Sequence, residues 1–170
     1  TGTFAMASRR VVITGNTYAN NNSTDIALIS GLVIEGDLSQ WHTNTEEVVG
    51  DIDDLNLLGD EAGVYNFRTE DVWVHGNSHS GSGTKADGGD IDARPIGFLL
   101  AITYFGETID TVLYDTIGES SFHSTDASQN SNDNRICVGD DAGVTFASLN
   151  IEELASQDLP SLDTVFRPPA

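Results

Sequence analysis

Only seven lysines and arginines stand against 27 aspartates and glutamates in this 170-residue chain, and lysine occurs once, at Lys85. The formal charge of -20 works against nucleic acid and anionic membrane surfaces, because a ligand of like sign must enter an opposing field. The one cysteine, Cys137, has no partner for an internal disulfide or a thiolate metal site, and no Cys-x-x-Cys-His is present to hold haem. Between Ile136 and Val138 it reads as a buried small hydrophobe. No apolar run approaches the roughly 20 residues of a membrane-crossing helix, and no signal-peptide pattern is read. Neither a Gly-x-Ser-x-Gly elbow nor a phosphate-cradling loop followed by a helix occurs, so the local signatures of those chemistries are missing.

What is present favours strands. Glycine is plentiful, at 17 residues, and hydrophobic content is a modest 38%, which suits short strands and many turns within one domain. A strand running into Gly-Asn occurs twice, as residues 11–17 (Val-Val-Ile-Thr-Gly-Asn-Thr) and 72–78 (Val-Trp-Val-His-Gly-Asn-Ser). Gly15 and Gly76 supply unusual backbone angles at a corner, and Asn16 can hydrogen-bond the corner of a neighbouring layer. With further strands at 26–29 and around 32–34, three short strands follow one another in about 25 residues, so each must stack on a neighbour. The expected fold is all-β, a right-handed parallel β-helix (solenoid) fragment with long loops and a short C-terminal helix. Coils occupy 1–149 with inserted loops at 40–62, 79–91 and 118–134, and 150–170 forms the short helix and an extended tail, Asn150 being its N-cap. The apolar run 96–105 reads as a central strand, with further strands at 111–114, 135–138 and 144–146. Because the chain reaches Val11 with little introduction, residues 1–10 are expected to belong to a preceding rung or to contact another chain.

The segments 10–18 through 26–30, 63–65 through 74–77 and 134–138 through 146–149 together resemble a family of secreted or lipid-anchored parallel β-helix repeat proteins. That family is functionally uncharacterised and is associated with a second exported protein. The resemblance implies that this chain is its C-terminal part and that it lies outside the cell or in the cell envelope. It supplies no catalytic residue.

Several side chains are candidates for chemistry. Asp87, Asp90 and Asp92, beside Arg94, space oxygen ligands closely enough for calcium, the cofactor this pattern suits, although a solvated turn explains them too. Asp51, Asp53 and Asp54 offer a second acidic group, read also as a solvated loop guarding an edge. His75 and His79 flank a corner and would approach each other if it folded back. Trp73 and Tyr65, with Trp41 and Tyr104, are candidates for stacking on sugar rings. Alternation with Val72 turns the Trp73 indole outward, and core packing is the alternative. Asn21 and Asn22 each begin an N-glycosylation acceptor pattern. These features favour a non-enzymatic extracellular structural or binding module that contacts a partner protein, a glycan or neighbouring copies, with no nucleic acid and no membrane insertion. The rival is a polysaccharide lyase or hydrolase using clustered carboxylates and calcium.

Overall fold

Strands of two to six residues cannot each bury a face, so their stability rests on lateral pairing. A computed structural model describes residues 1–35, 67–85, 100–101, 103–104, 106–119 and 131–149, with the backbone of 42–43 and 64–65. In chain order the strands are β1 (Thr3–Met6), β2 (Arg9–Thr14), β3 (Thr17–Ala19), β4 (Ile26–Ile29), β5 (His42–Thr43), β6 (Val64–Tyr65), β7 (Glu70–His75), β8 (Ser78–Ser80), β9 (Val112–Tyr114), β10 (Ile136–Val138) and β11 (Phe146–Ser148). They form a four-stranded sheet β1-β4-β9-β11, a three-stranded sheet β10-β7-β2, and the pairs β3-β8 and β5-β6. Every pairing is parallel except β5 with β6.

The two Gly-Asn segments lie side by side. Val11 stands opposite Val72, Val12 opposite Trp73 and Ile13 opposite Val74, and past the corner Tyr18 stands opposite His79. Gly15 and Gly76 hold the corner at φ of +72° and +66°, a left-handed conformation that costs glycine little. Asn16 then donates its backbone N–H to Asn77 Oδ1 at 3.0 Å, and Asn77 Nδ2 donates to the Ile13 carbonyl at 2.9 Å. Asp141 continues the ladder, accepting the backbone N–H of Gly76 at 2.7 Å and of Asn77 at 2.8 Å. Each net bond of this kind contributes about 0.5–1.5 kcal/mol, and more where the acceptor is charged.

The expected right-handed parallel β-helix is corrected by this arrangement. The described residues show short parallel strands in small separate sheets, one of the pairs antiparallel, and no closed solenoid among them. The physical reason is that hydrophobic alternation and Gly-Asn corners select which strands pair, while closure depends on connections that carry no such pattern. Two local expectations also change. Residues 31–33 form a 3-10 turn rather than a strand, capped by Ser30 Oγ, which accepts from the Leu32 N–H at 3.1 Å. Leu100, Ala101, Thr103 and Tyr104 lie in helical backbone, because an apolar run of that length does not itself distinguish helix from strand. The predicted helix at 150–170 and most of the 40–62 loop fall outside the described residues. The 79–91 loop opens inside β8, while the ends of the 118–134 loop are tied together by Glu119.

Two apolar clusters explain the layering. Ala5, Ile13, Tyr18, Ile26, Leu28, Val72, Val74, Val112, Tyr114 and Ile136 form one, between the larger sheets. Leu100, Tyr104, Ile109, Leu113, Ala147 and Leu149 form the other. Since β9 contributes Val112 and Tyr114 to the first and Leu113 to the second, the middle of the four-stranded sheet is covered on both faces, while β1 at its edge leaves Phe4 and Met6 exposed. In the three-stranded sheet, Val72 and Val74 are buried while Trp73 is exposed, so its other face meets solvent.

Candidate functional site

That solvent-facing surface is built from three rows of side chains. Strand alternation turns Val11, Ile13, Val72, Val74 and Ile136 inward, which leaves Arg10, Val12 and Thr14, then Asp71, Trp73 and His75, then Arg135 and Cys137 on the outer side. Register aligns Val12, Trp73 and Cys137 across the sheet, with Thr14 beside His75 in the next row. Trp73, on the central strand β7, is 52% exposed, and Val12 beside it on the edge strand β2 is 57% exposed, so two apolar side chains meet solvent together. The Trp73 indole stacks on the His75 imidazole, with ring centroids 3.8 Å apart and planes 26° from parallel. Two rings so joined form a flat apolar platform whose faces can take a second flat or gently puckered apolar surface.

One edge of the platform is charged. Arg135 grips the Asp71 carboxylate with two nitrogens, Nη2 at 2.7 Å and Nε in a second, shorter bond. The Arg135 hydrogen bond holds the Asp71 carboxyl below the usual range, with the nearby charges of Arg135, Arg10 and Arg9 acting in the same direction. Arg10, Asp71 and Arg135 have φ of +57°, +53° and +52°, so the same left-handed backbone recurs within β2 and β7 and just before β10. Such a conformation costs a non-glycine residue on the order of 1–2 kcal/mol, and it interrupts the ladder between Arg9 opposite Glu70 and Val11 opposite Val72.

The structure sorts the remaining sequence candidates. Cys137 is exposed rather than buried, because β10 turns it to the same side as Trp73. Tyr104 is 2% exposed and donates its hydroxyl to Asp110 Oδ2 at 2.9 Å, so it belongs to the core. Tyr65 lies in β6, where it pairs with His42, and its side chain is outside the described residues. So are Trp41, the Asp87, Asp90, Asp92 and Arg94 group, and Asp51, Asp53 and Asp54. Among the described residues no group of three or more His, Cys, Asp or Glu is gathered to hold a metal. Nor do His75 and His79 pair with each other: His75 stacks on Trp73, whereas His79 is buried against Asp25 and Tyr18. Asn21 is engaged, its Nδ2 donating to Asp25 Oδ1 at 2.6 Å, whereas Asn22 is exposed.

Two polar constellations escaped the sequence reading. His79 Nδ1 lies 2.8 Å from Asp25 Oδ2, with both side chains fully buried and Tyr18 stacked on the imidazole at 5.2 Å. This is the base-and-orienter geometry found in nucleophilic sites, but its burial keeps it from any substrate, and it braces β3 against β8 and the start of β4. The available clue was the alternation of Ser78, His79 and Ser80, which turns the histidine inward. Glu119 accepts from the backbone N–H groups of Asp133 and Asn134 at 2.6 and 3.2 Å, from Ser131 Oγ at 2.9 Å and from the Tyr114 hydroxyl at 3.0 Å. Desolvation, reinforced by that carboxylate, pushes the Tyr114 phenol far above its ordinary value, so it stays a donor. No local motif announces such a clamp, because three of its four partners lie 12 to 15 residues away. No helix among the described residues is long and apolar enough to cross a membrane. No protein-family model, curated protein or solved structure matches this chain.

Proposed function

We propose that the chain is a non-enzymatic binding module of the extracellular space or cell envelope, and that it captures a glycan on the outer face of β2, β7 and β10. The exposed stack of Trp73 on His75, set between Val12 and Cys137, carries this reading. A sugar ring presents an apolar face of C–H groups that packs on an indole, while its hydroxyls need polar partners at the rim. Thr14, Arg10, Asp71 and Arg135 stand at that rim. The left-handed backbone repeated at the charged row supports a functional use of this edge, since strain of this kind persists where surrounding structure over-determines it. The acidic chain as a whole suits a salt-rich, extracellular setting, where ions screen self-repulsion.

The test is a panel of neutral and uronic-acid oligosaccharides titrated against the chain, followed by tryptophan fluorescence and by calorimetry. At least one member binds saturably, and Trp73→Ala removes the binding while leaving the melting curve close to that of the parent. A panel without a binder, or a Trp73→Ala variant that binds as well as the parent, overturns the reading. Release of shortened or unsaturated sugar products in the same incubations, abolished by a calcium chelator or by Asp90→Asn, would instead establish the lyase or hydrolase alternative.

A further inference from the structure

The two larger sheets end differently at β1 and β2. β2, the edge of the three-stranded sheet, carries Arg9 and Arg10, and the left-handed backbone at Arg10 interrupts its ladder. Charge and irregular backbone of this kind keep an edge from pairing with another chain. β1, the edge of the four-stranded sheet, has no charged neighbour in sequence from Thr1 to Ser8, in a chain of net charge -20. Phe4 stands in register with Ala27, Leu113 and Ala147, and the second apolar cluster covers the last two. At β1 that cover stops: Phe4 is 45% and Met6 36% exposed on one face, while Ala5 between them is buried.

The backbone of β1 is also open on one side. Thr3 donates its N–H to the Asp25 carbonyl at 2.7 Å, and Ala7 donates to the Ile29 carbonyl at 3.1 Å. In a parallel ladder the odd-numbered residues therefore bond toward β4, and the N–H and C=O groups of Phe4 and Met6 point the other way. No strand among the described residues pairs on that side. The Met6 carbonyl accepts from Ser8 Oγ at 2.8 Å and keeps a second lone pair for a further donor.

We propose that this edge pairs with the same edge of a second copy, antiparallel about a twofold axis at Ala5. Phe4 then stands opposite the partner's Met6, and Met6 opposite the partner's Phe4, as two bonded pairs that satisfy all four outward N–H groups and all four outward carbonyls' free lone pairs. Each pair also sets a thioether beside a phenyl ring, a favourable contact. At the axis Ala5 meets the partner's Ala5, and the small side chains suit the close approach of an unbonded pair. A register centred on Phe4 would instead set Met6 against the partner's Gly2, whose N–H is already given to Asp25. The occupant is a copy of this chain because the edge is complementary to itself and because its uncharged segment lets two strongly acidic chains meet with least repulsion. So small an interface belongs to the weak, reversible class, with a dissociation constant on the order of 10 μM to 1 mM. It uses neither Trp73 nor the outer face of β7 and stands independently of the glycan platform.

The experiment is sedimentation equilibrium of the intact chain from micromolar to millimolar concentration, at low and at high sodium chloride. The mass rises reversibly from 18.1 kDa to twice that value and no further, and salt tightens the dimer by screening the repulsion between copies. Phe4→Lys weakens association by about tenfold or more without lowering the melting temperature of the monomer. Combining Phe4→Lys with Met6→Glu restores it, because each new lysine faces a new glutamate across the axis in this register alone. Trp73→Ala dimerises as the parent does. A monomer at every concentration and salt overturns the proposal, as does equal dimerisation by Phe4→Lys and the parent, or a Phe4→Lys, Met6→Glu variant no better than Phe4→Lys. Should Phe4→Lys fail to fold, amide hydrogen exchange of the unmutated chain decides. The Phe4 and Met6 N–H groups become slower to exchange as concentration rises, and exchange independent of concentration at both overturns the pairing.

Discussion

The four-stranded and three-stranded sheets are both built from short parallel strands, yet the central strands of one are buried on both faces and the other is buried on one. In β4 all of Ile26, Ala27, Leu28 and Ile29 are at most 2% exposed, and β9 is equally enclosed. In β7, Val72 and Val74 are enclosed while Trp73 between them is half open to solvent. The first sheet therefore serves as the anchor, and the second holds one face to the core while presenting the other. The comparison teaches that stability and recognition are divided between the sheets, so substitutions on each should read out differently.

The largest effect is expected from Leu28→Ala. Leu28 is fully buried, and its truncation should cost about 2–5 kcal/mol in denaturant unfolding. Val12→Ala, on the open face, should stay within about 0.5 kcal/mol, and similar losses at both positions would break the division drawn here. Next comes Asn77→Ala, which removes bonds to the Ile13 carbonyl and the Asn16 N–H and should cost about 1–3 kcal/mol. Asn77→Asp would keep the acceptor but lose the donor, and should rank between the variant and the parent.

Acid should loosen the corner that joins these strands to β3 and β8. Backbone N–H bonds, chiefly from Asn77 and then from Gly76, hold the Asp141 carboxyl below its ordinary value. A depressed folded-state value means that the carboxylate's contribution is fully present above the unfolded value, about 3.9, and is lost as pH falls through the folded one. Melting temperature measured from pH 5 downward should thus fall less steeply for Asp141→Asn than for the parent. A small stability effect is also expected for Trp73→Ala, under about 1 kcal/mol, with the main change in ligand binding. A drop comparable to Leu28→Ala would show that the indole belongs to the structural half of the comparison.

The parts of this division that could be read from sequence were those governed by local period. Alternation placed Val72 and Val74 on one face and Trp73 and His75 on the other, leaving core packing of the indole open, and the Gly-Asn pairs marked the corners where Asn16 and Asn77 meet. The parts that could not be read depend on contacts distant in the chain. Nothing near Cys137 says that Arg135 will reach Asp71, 64 residues earlier, or that β10 will turn the thiol to solvent. The run around Leu100 carried hydrophobicity without a period, so its helical form and its place under Leu113 became visible only in three dimensions. The His79–Asp25 pair was hidden for a similar reason, since 54 residues separate its partners.

The exposed thiol has a practical consequence. Cys137 is the chain's single sulfhydryl and stands directly opposite Trp73, one strand spacing of about 4.8 Å away. A maleimide dye attached there would put a native, single-site reporter at the rim of the aromatic platform, with no engineered residue. Quenching of that dye by the indole, and its relief when the platform fills, would turn an unmutated molecule into its own occupancy gauge.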